Sequence, residues 1–384
     1  MDANNRAKRS DDAMKSSLSA DNKWVQLLYS GVLAVIGGYL FQWIHCPIPW
    51  LLGPMVAVFA GSRLSKKVKP YWSGSLRDTG MIIVGYMLGL SFTLETFAQI
   101  GKQLPSMVLL TALLLVCSCL IAWLVAKFSG LDFPTVLMGS IPGGLSQIIA
   151  LAEELKGTDL TVITFLQISR VIMIVFFVPL LIFSPLFGSL HHSLPIAGST
   201  AAASWSGLFP HIMVYAVVCT GFALLWKKIK FPTAFLLGPM VATIVLHLSG
   251  FSGPTLPPSL VNISQLLIGG YLGLMLKPEN LNNKVKIMVL ALLSGAALLT
   301  CSIGLSLLLA FMHAVPLSTS FLSLSPGGMD QMGIIAKEVN ADLSFVTCYQ
   351  LFRTLFIFLV VPPVLKALFK ARLRPEGPLP DKAS

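Results

Sequence analysis

The sequence predicts an all-α integral membrane protein. It comprises two inverted repeats, each of about five transmembrane helices plus one re-entrant, broken helical hairpin, in the manner of secondary transporters. Three observations predict this. The 384 residues are 55% hydrophobic and only 11% charged, with a mean hydropathy of +0.80. A soluble domain is about 25% charged, so a water-soluble enzyme, a disordered chain and a secreted disulfide scaffold are excluded. Apolar segments of spanning length, about 20 residues, follow one another along the chain. Finally, two stretches of one half recur nearly residue for residue in the other.

Residues 1–23 are polar and hold Arg6, Lys8, Arg9, Lys15 and Lys23. The apolar run behind them is too long for a signal-peptide core, so they read as a disordered cytoplasmic tail. The first repeat occupies 24–186. Its expected spans are 24–43, 47–64, 78–100, 105–126 and 160–183, and segment 133–156 is broken at Pro142-Gly143-Gly144. Residues 187–210 form an external linker. The second repeat occupies 211–368, with spans 211–226, 232–248, 263–276, 285–312 and 343–368; segment 316–338 is broken at Pro326-Gly327-Gly328. Residues 369–384 form a second cytoplasmic tail.

Each arm of a broken segment has only about ten residues, or roughly 15 Å of helix, so length fits either a hairpin or a through-crossing. Loop charge separates the two. With hairpins, Arg63, Lys69, Arg77, Lys127, Lys227, Lys228, Lys284, Lys286 and Lys366 all fall inside, and the linker without Lys or Arg falls outside. Through-crossings would reverse the second half against the positive-inside rule. The net charge of +11 thus orients the chain. It does not read as a nucleic-acid surface.

The repeat is explicit. Pro47-Ile48-Pro49-Trp50-Leu51-Leu52-Gly53-Pro54-Met55-Val56-Ala57 matches Pro232-Thr233-Ala234-Phe235-Leu236-Leu237-Gly238-Pro239-Met240-Val241-Ala242. Pro142-Gly143-Gly144 with Gln147 matches Pro326-Gly327-Gly328 with Gln331, and Thr164, Gln167 and Arg170 match Thr347, Gln350 and Arg353. An odd number of crossings per repeat inverts the second copy.

These paired residues are the candidate binding site. Glycine permits close backbone approach, and proline stops a helix. A helix restarting after the break presents free N–H groups that suit an anion. Arg170 and Arg353 lie about ten residues into their spans. An arginine there costs at least about 2.5 kcal/mol, so it faces the protein interior with a partner. Gln167 and Gln350 share its face three residues earlier, and Thr164 and Thr347 extend the stripe. Two readings stand: the guanidiniums are forks for a carboxylate substrate, or they cap hairpin carbonyls or pair with Asp330, Glu154 or Glu338. Asp330, whose counterpart is Ser146, is the one carboxylate placed to hold a coupling cation or proton. Asp159 and Asp342 read as helix N-caps.

His45, His191, His192, His211, His247 and His313 are scattered, as are Cys46, Cys117, Cys119, Cys219, Cys301 and Cys348. No metal-ligand spacing, Walker loop, G-x-S-x-G or H-E-x-x-H occurs. The expectation is no metal, no cofactor and no catalytic residues.

At Leu-Leu-Gly-Pro-Met, Pro-Gly-Gly and Gln-x-x-Arg the chain resembles the AbrB family of bacterial polytopic membrane proteins, over about residues 25–370. That family is often labelled ammonia monooxygenase or membrane regulator. The resemblance implies a multi-pass protein of the bacterial cytoplasmic (inner) membrane, linked to gene regulation. It is unrelated to the soluble DNA-binding namesake. The first copy departs at Lys156-Gly157-Thr158-Asp159, where the second reads Asn340-Ala341-Asp342.

The expected function is secondary transport of a small organic anion by alternating access, between the two hairpins and the two arginines. Both chain termini are expected in the cytoplasm. The expected partners are the lipid bilayer, the anion, a coupling cation or proton and a second copy in a homo-oligomer, with no nucleic acid. The alternatives are a membrane sensor that regulates gene expression and a monooxygenase. The latter would need metal ligands grouped on facing helices, which the histidine spacing does not provide.

Overall fold

The computed structural model describes residues 23–369 apart from 65–68, 143–144, 154–156, 185–207, 210, 230, 232, 252 and 276–283. The described residues are helical, with no strand among them. Fourteen helices appear among them in chain order. The first half holds α1 (Lys23–Trp43), α2 (Pro49–Leu64), α3 (Gly74–Gly89), α4 (Leu94–Ser129), α5 (Phe133–Ser140), α6 (Leu145–Glu153) and α7 (Leu160–Ile182). The second holds α8 (His211–Lys228), α9 (Ala234–Leu248), α10 (Pro258–Met275), α11 (Lys284–His313), α12 (Leu317–Leu324), α13 (Met329–Glu338) and α14 (Leu343–Leu368). Each half therefore runs through the same succession of seven helices.

Five helices, α1, α4, α7, α11 and α14, are long and apolar enough to cross a membrane. Many of the chain's large apolar side chains point outward, among them Trp24, Phe128, Val217 and Phe311. Water would not tolerate so wide an apolar surface, whereas lipid would.

One expected span is corrected. Segment 78–100 is not one helix: α3 ends at Gly89 and α4 starts at Leu94. The cause is a reciprocal cap. Thr96 N donates to Thr93 Oγ1 and Thr93 N donates to Thr96 Oγ1, each at 3.3 Å. This satisfies N–H groups that a new helix leaves open. From there α4 runs 36 residues without interruption at Pro105. The linker 187–210 and both tails lie almost wholly outside the described residues.

The chain divides into two compact units, and each draws on both halves. One consists of Met1–Phe97, Val175–Lys277 and Gly333–Ser344; the other of Ala98–Ile174, Pro278–Met332 and Phe345–Ser384.

In the first unit the repeated Leu-Leu-Gly-Pro-Met segments are docking surfaces. In α2, the carbonyls of Leu51 and Met55 lie against Gly269 and Gly273 of α10. In α9, the carbonyls of Leu236 and Met240 lie against Gly85 and Gly89 of α3. A methyl group on Gly273 or Gly89 would sit 2.5 Å from Met55 O or 2.7 Å from Met240 O. Each motif thus packs on a small-xxx-small stripe of the opposite half, where glycine lets two backbones touch. The same chemistry joins α1 to α2 through Gly37 and Gly53, and α8 to α9 through Ala223 and Gly238. Trp72 Nε1 donates to Leu267 O at 3.0 Å and caps this packing with a buried aromatic.

In the second unit α4 and α11 meet at three levels. Lys286 Nζ, near the start of α11, donates to Ser129 O at the end of α4, at 2.6 Å. Midway, Cys117 and Cys301 meet as a disulfide with a Cα–Cα distance of 6.9 Å. At the other end, Ser106 Oγ and His313 Nε2 are 2.8 Å apart. The two helices therefore run antiparallel. Asp159 N, entering α7, donates to Thr135 Oγ1 in the first turn of α5, at 3.2 Å. Phe345, entering α14, packs on His313, which lies just ahead of α12, with ring centroids 6.0 Å apart. After each broken segment the chain comes back to the end it left. Asp159 also caps α7, its Oδ1 accepting from Thr161 N and Val162 N at 2.9 and 3.1 Å.

Candidate functional site

The site belongs to the second unit and is built twice. α5 stops after eight residues because Ile141 turns extended and Pro142 follows. α12 stops in the same way at Ser325, before Pro326. Each stop leaves carbonyls without an intrahelical donor, and these carbonyls are buried.

The paired polar residues answer that need. Arg170 Nη1 donates to Ser140 O and Ile141 O, both at 2.9 Å, and Gln167 Nε2 to Met138 O at 2.7 Å. Arg170 Nη2 donates to Gln167 Oε1 at 3.3 Å. The second copy repeats the pattern. Arg353 Nη1 donates to Ser325 O at 2.5 Å, Arg353 Nη2 to Gly327 O at 2.7 Å and to Gln350 Oε1, and Gln350 Nε2 to Leu322 O at 2.7 Å. A cation at a helix C-terminus also meets the negative end of the dipole. Of the two sequence readings for the arginines, the capping of hairpin carbonyls is what these bonds describe.

The capping does not use the whole of Arg170. Its side chain is 5% exposed, and Nε–H is buried without an acceptor. Nε and Nη2 share the edge of the guanidinium that a carboxylate bridges side-on.

The remaining expected residues separate. Pro142 and Pro326 are buried at the breaks. Gly143 and Gly144 lie outside the described residues, and Gln147 is placed by its backbone only, in α6. Thr164 Oγ1 donates to Leu160 O of its own helix at 2.7 Å and stays half-buried, so it does not join the arginine. Thr347 is buried. Asp330 and Gln331 are buried in the first turn of α13, their side chains folded over Gly328, and Gln331 Nε2 donates to Asp330 Oδ2 at 2.9 Å. Glu338, offered as an arginine partner, instead accepts from Gln265 Nε2 at 3.4 Å. Glu154 lies outside the described residues.

A second polar chain was not anticipated from the sequence. Ser106 Oγ is 2.8 Å from both His313 Nε2 and Tyr349 OH, and Tyr349 immediately precedes Gln350. Its three members are 36 to 243 positions apart in sequence, and only α4, α11 and α14 packing together makes them neighbours. Among the described residues no group of three or more His, Cys, Asp or Glu could hold a metal.

Residues 50–369 match the family profile described as "Transition state regulatory protein AbrB". The chain is 23% identical over 378 residues to YhjN of Bacillus subtilis (strain 168), covering 91% of this chain and 95% of that one. It is 26% identical over 351 residues to an Escherichia coli (strain K12) protein named as a regulator, AbrB, covering 90% and 96%.

Proposed function

The chain belongs to the AbrB family, and from that premise and the geometry of its paired breaks we propose that it is a secondary transporter of a small organic anion, working by alternating access. In this reading it spans the bacterial cytoplasmic membrane as two inverted repeats. α5–α6 and α12–α13 are re-entrant hairpins, and both termini are cytoplasmic. The antiparallel run of α4 against its counterpart α11 supports the inversion. The return of the chain at Asp159–Thr135 and at His313–Phe345 supports the hairpins.

The single observation that carries the reading is Arg170: a buried guanidinium, anchored through both Nη atoms, with its Nε–H unspent. A buried donor left unmatched costs about 1–3 kcal/mol. A carboxylate arriving at that edge removes the cost. Repetition of the Gln-x-x-Arg cap on the second break gives two equivalent supports, which a substrate can engage from either side in turn. No bond-making chemistry is assigned to the protein, and no nucleic acid is a partner.

The test is uptake of labelled mono-, di- and tricarboxylates by proteoliposomes holding the purified chain. At least one should accumulate. Arg170→Lys keeps a charge but loses the Nε edge, and it should cut the uptake by at least about tenfold, worth about 1.4 kcal/mol, while the protein still purifies as a monodisperse species. Accumulation of none of them would overturn the reading. A sensor that regulates gene expression is the second reading, favoured by the regulator name of the Escherichia coli relative. It predicts carboxylate binding to the purified protein without uptake.

A further inference from the structure

The hydrogen bonds around Ser106 fix the proton positions in the polar chain it shares with His313 and Tyr349. Ser106 Oγ has three neighbours at 2.8 Å: Gln103 O, His313 Nε2 and Tyr349 OH. A hydroxyl has one proton and two lone pairs, so all of its bonds are taken. Gln103 O can only accept, so the Ser106 proton goes there. Tyr349 OH and His313 Nε2–H must then both donate to Ser106 Oγ. The imidazole therefore carries its proton on Nε2, and Nδ1 keeps a lone pair. Ser106 and Tyr349 are 5% and 1% exposed, whereas His313 is half-buried. The imidazole is thus the member of the chain that solvent reaches.

We infer that His313 Nδ1 is a proton-binding site and that this proton is the coupling ion, the second part resting on the transport reading above. Imidazole is the side chain that changes charge between about pH 5 and pH 8. Uptake at Nδ1 breaks no bond of the chain. Neutral imidazole becomes imidazolium, and Nε2–H becomes a charge-assisted donor to Ser106 Oγ. Tyr349 donates to the same oxygen and so feels the new charge. It adjoins Gln350, whose Nε2 donates to Leu322 O and Ser325 O at the second break. Phe345 stacks on Tyr349 at 4.8 Å and meets His313 edge-on at 6.0 Å, which ties the imidazole to α14 a second time. On the other side Ala314, with φ of 52°, turns the chain towards α12, whose far end Arg353 holds at Ser325 O. Titratable and charged groups on the surrounding elements are few. α14 brings Tyr349, with Cys348 beside it and Arg353 one turn on, and α12 brings none. α4 brings Glu95 and Lys102, both exposed, and Asp342 lies exposed ahead of α14. The site exists in one copy only. In the register that aligns Pro142 with Pro326 and Gln167 with Gln350, Ser129 and Leu166 stand where the second half has His313 and Tyr349.

The experiment uses the full-length protein in detergent, with nitrogen-15 in its histidines and carbon-13 in its tyrosine rings, followed by magnetic resonance. The imidazole signal lost in His313→Gln is that of His313. At about pH 8 it should show a protonated Nε2 and a bare Nδ1, and towards about pH 5 Nδ1 should gain its proton. The Tyr349 ring signal, identified by Tyr349→Phe, should move at the same midpoint and stay still in His313→Gln. If His313→Gln does not fold, Ser106→Ala, which removes the acceptor of this imidazole, supplies the assignment. A neutral imidazole protonated on Nδ1, or one that keeps a single charge state over that range, overturns the site. A Tyr349 signal indifferent to the titration overturns its link to the second break. In proteoliposomes, an acid-outside gradient should raise carboxylate uptake, and His313→Gln should lose that stimulation. Titration of His313 with no carboxylate taken up would defeat the transport reading and leave the proton site standing. Uptake with the same acid stimulation in His313→Gln would defeat the coupling role and leave transport standing.

Discussion

At the scale of single residues, the two arginines show how a charge is made tolerable where water is absent. Each spends its Nη donors on carbonyls that a broken helix had left open, so two costs cancel: a buried cation and buried orphan acceptors. Arg353→Ala should therefore destabilise the fold. Gly327 O loses its side-chain donor, at about 1–3 kcal/mol, Ser325 O keeps only Gln350 Nε2 and Gly327 N, and Gln350 loses its partner. Melting of the purified protein should fall markedly for Arg353→Ala and less for Gln350→Leu, which leaves the guanidinium on both carbonyls. Equal melting of wild type and Arg353→Ala would show that the bonds carry no stability. The arginines were legible in the sequence because an ionisable residue inside an apolar span stands out. Hairpin carbonyls and carboxylates both stood as candidate partners, and the structure supplies the carbonyls. Which carbonyls they are was not legible, because backbone carbonyls are the same at every position and only the third dimension says which are left open.

At the scale of helices, the repeated Leu-Leu-Gly-Pro-Met segments were legible as a duplication and silent as to purpose. Their partners, Gly85 with Gly89 and Gly269 with Gly273, are plain in the sequence as spaced glycines. Nothing local says that the stripe of one half faces the motif of the other. The break at residues 90–93 was missed because its flanks are apolar; the Thr93-x-x-Thr96 pair was the available signal. The packing makes a sharp contrast between glycines. A side chain at Gly85 meets Leu236 O, whereas nothing lies within 4 Å of a Cβ at Gly31. Gly85→Leu should abolish recovery of monodisperse protein. Gly31→Ala should be neutral, or stabilising by up to about 1 kcal/mol through helix propensity. Size-exclusion profiles in detergent separate these outcomes; a well-behaved Gly85→Leu would refute the close crossing of α3 and α9.

At the scale of the whole molecule, the membrane character was legible from composition, and the seven-helix succession from the repeat. The division into two units was not, since each assembles segments from both halves. The proposed inverted arrangement makes a positional demand on the second unit. Lys127 and Lys286 lie at one end of the α4–α11 pair, Ser106 and His313 at the other. In a cysteine-free background, Lys127→Cys should react with an impermeant thiol reagent only from the cytoplasmic side, and Ala314→Cys only from the outside. Labelling of both from one side would refute antiparallel crossing of the membrane.

The exchanged docking of α2 on α10 and α9 on α3 has a consequence for how the chain is made. Trp72 finds Leu267 across 195 positions of sequence. At about 5–20 residues per second, roughly 10–40 s separate the emergence of the two from the ribosome. Through that interval the backbone face of α2 and the glycine stripe of α3 have no partner. The first half is therefore an unfinished product until its complement arrives. In the proposed inverted arrangement, an ancestor one half as long would have needed a second copy of itself, the opposite way up, to supply those surfaces.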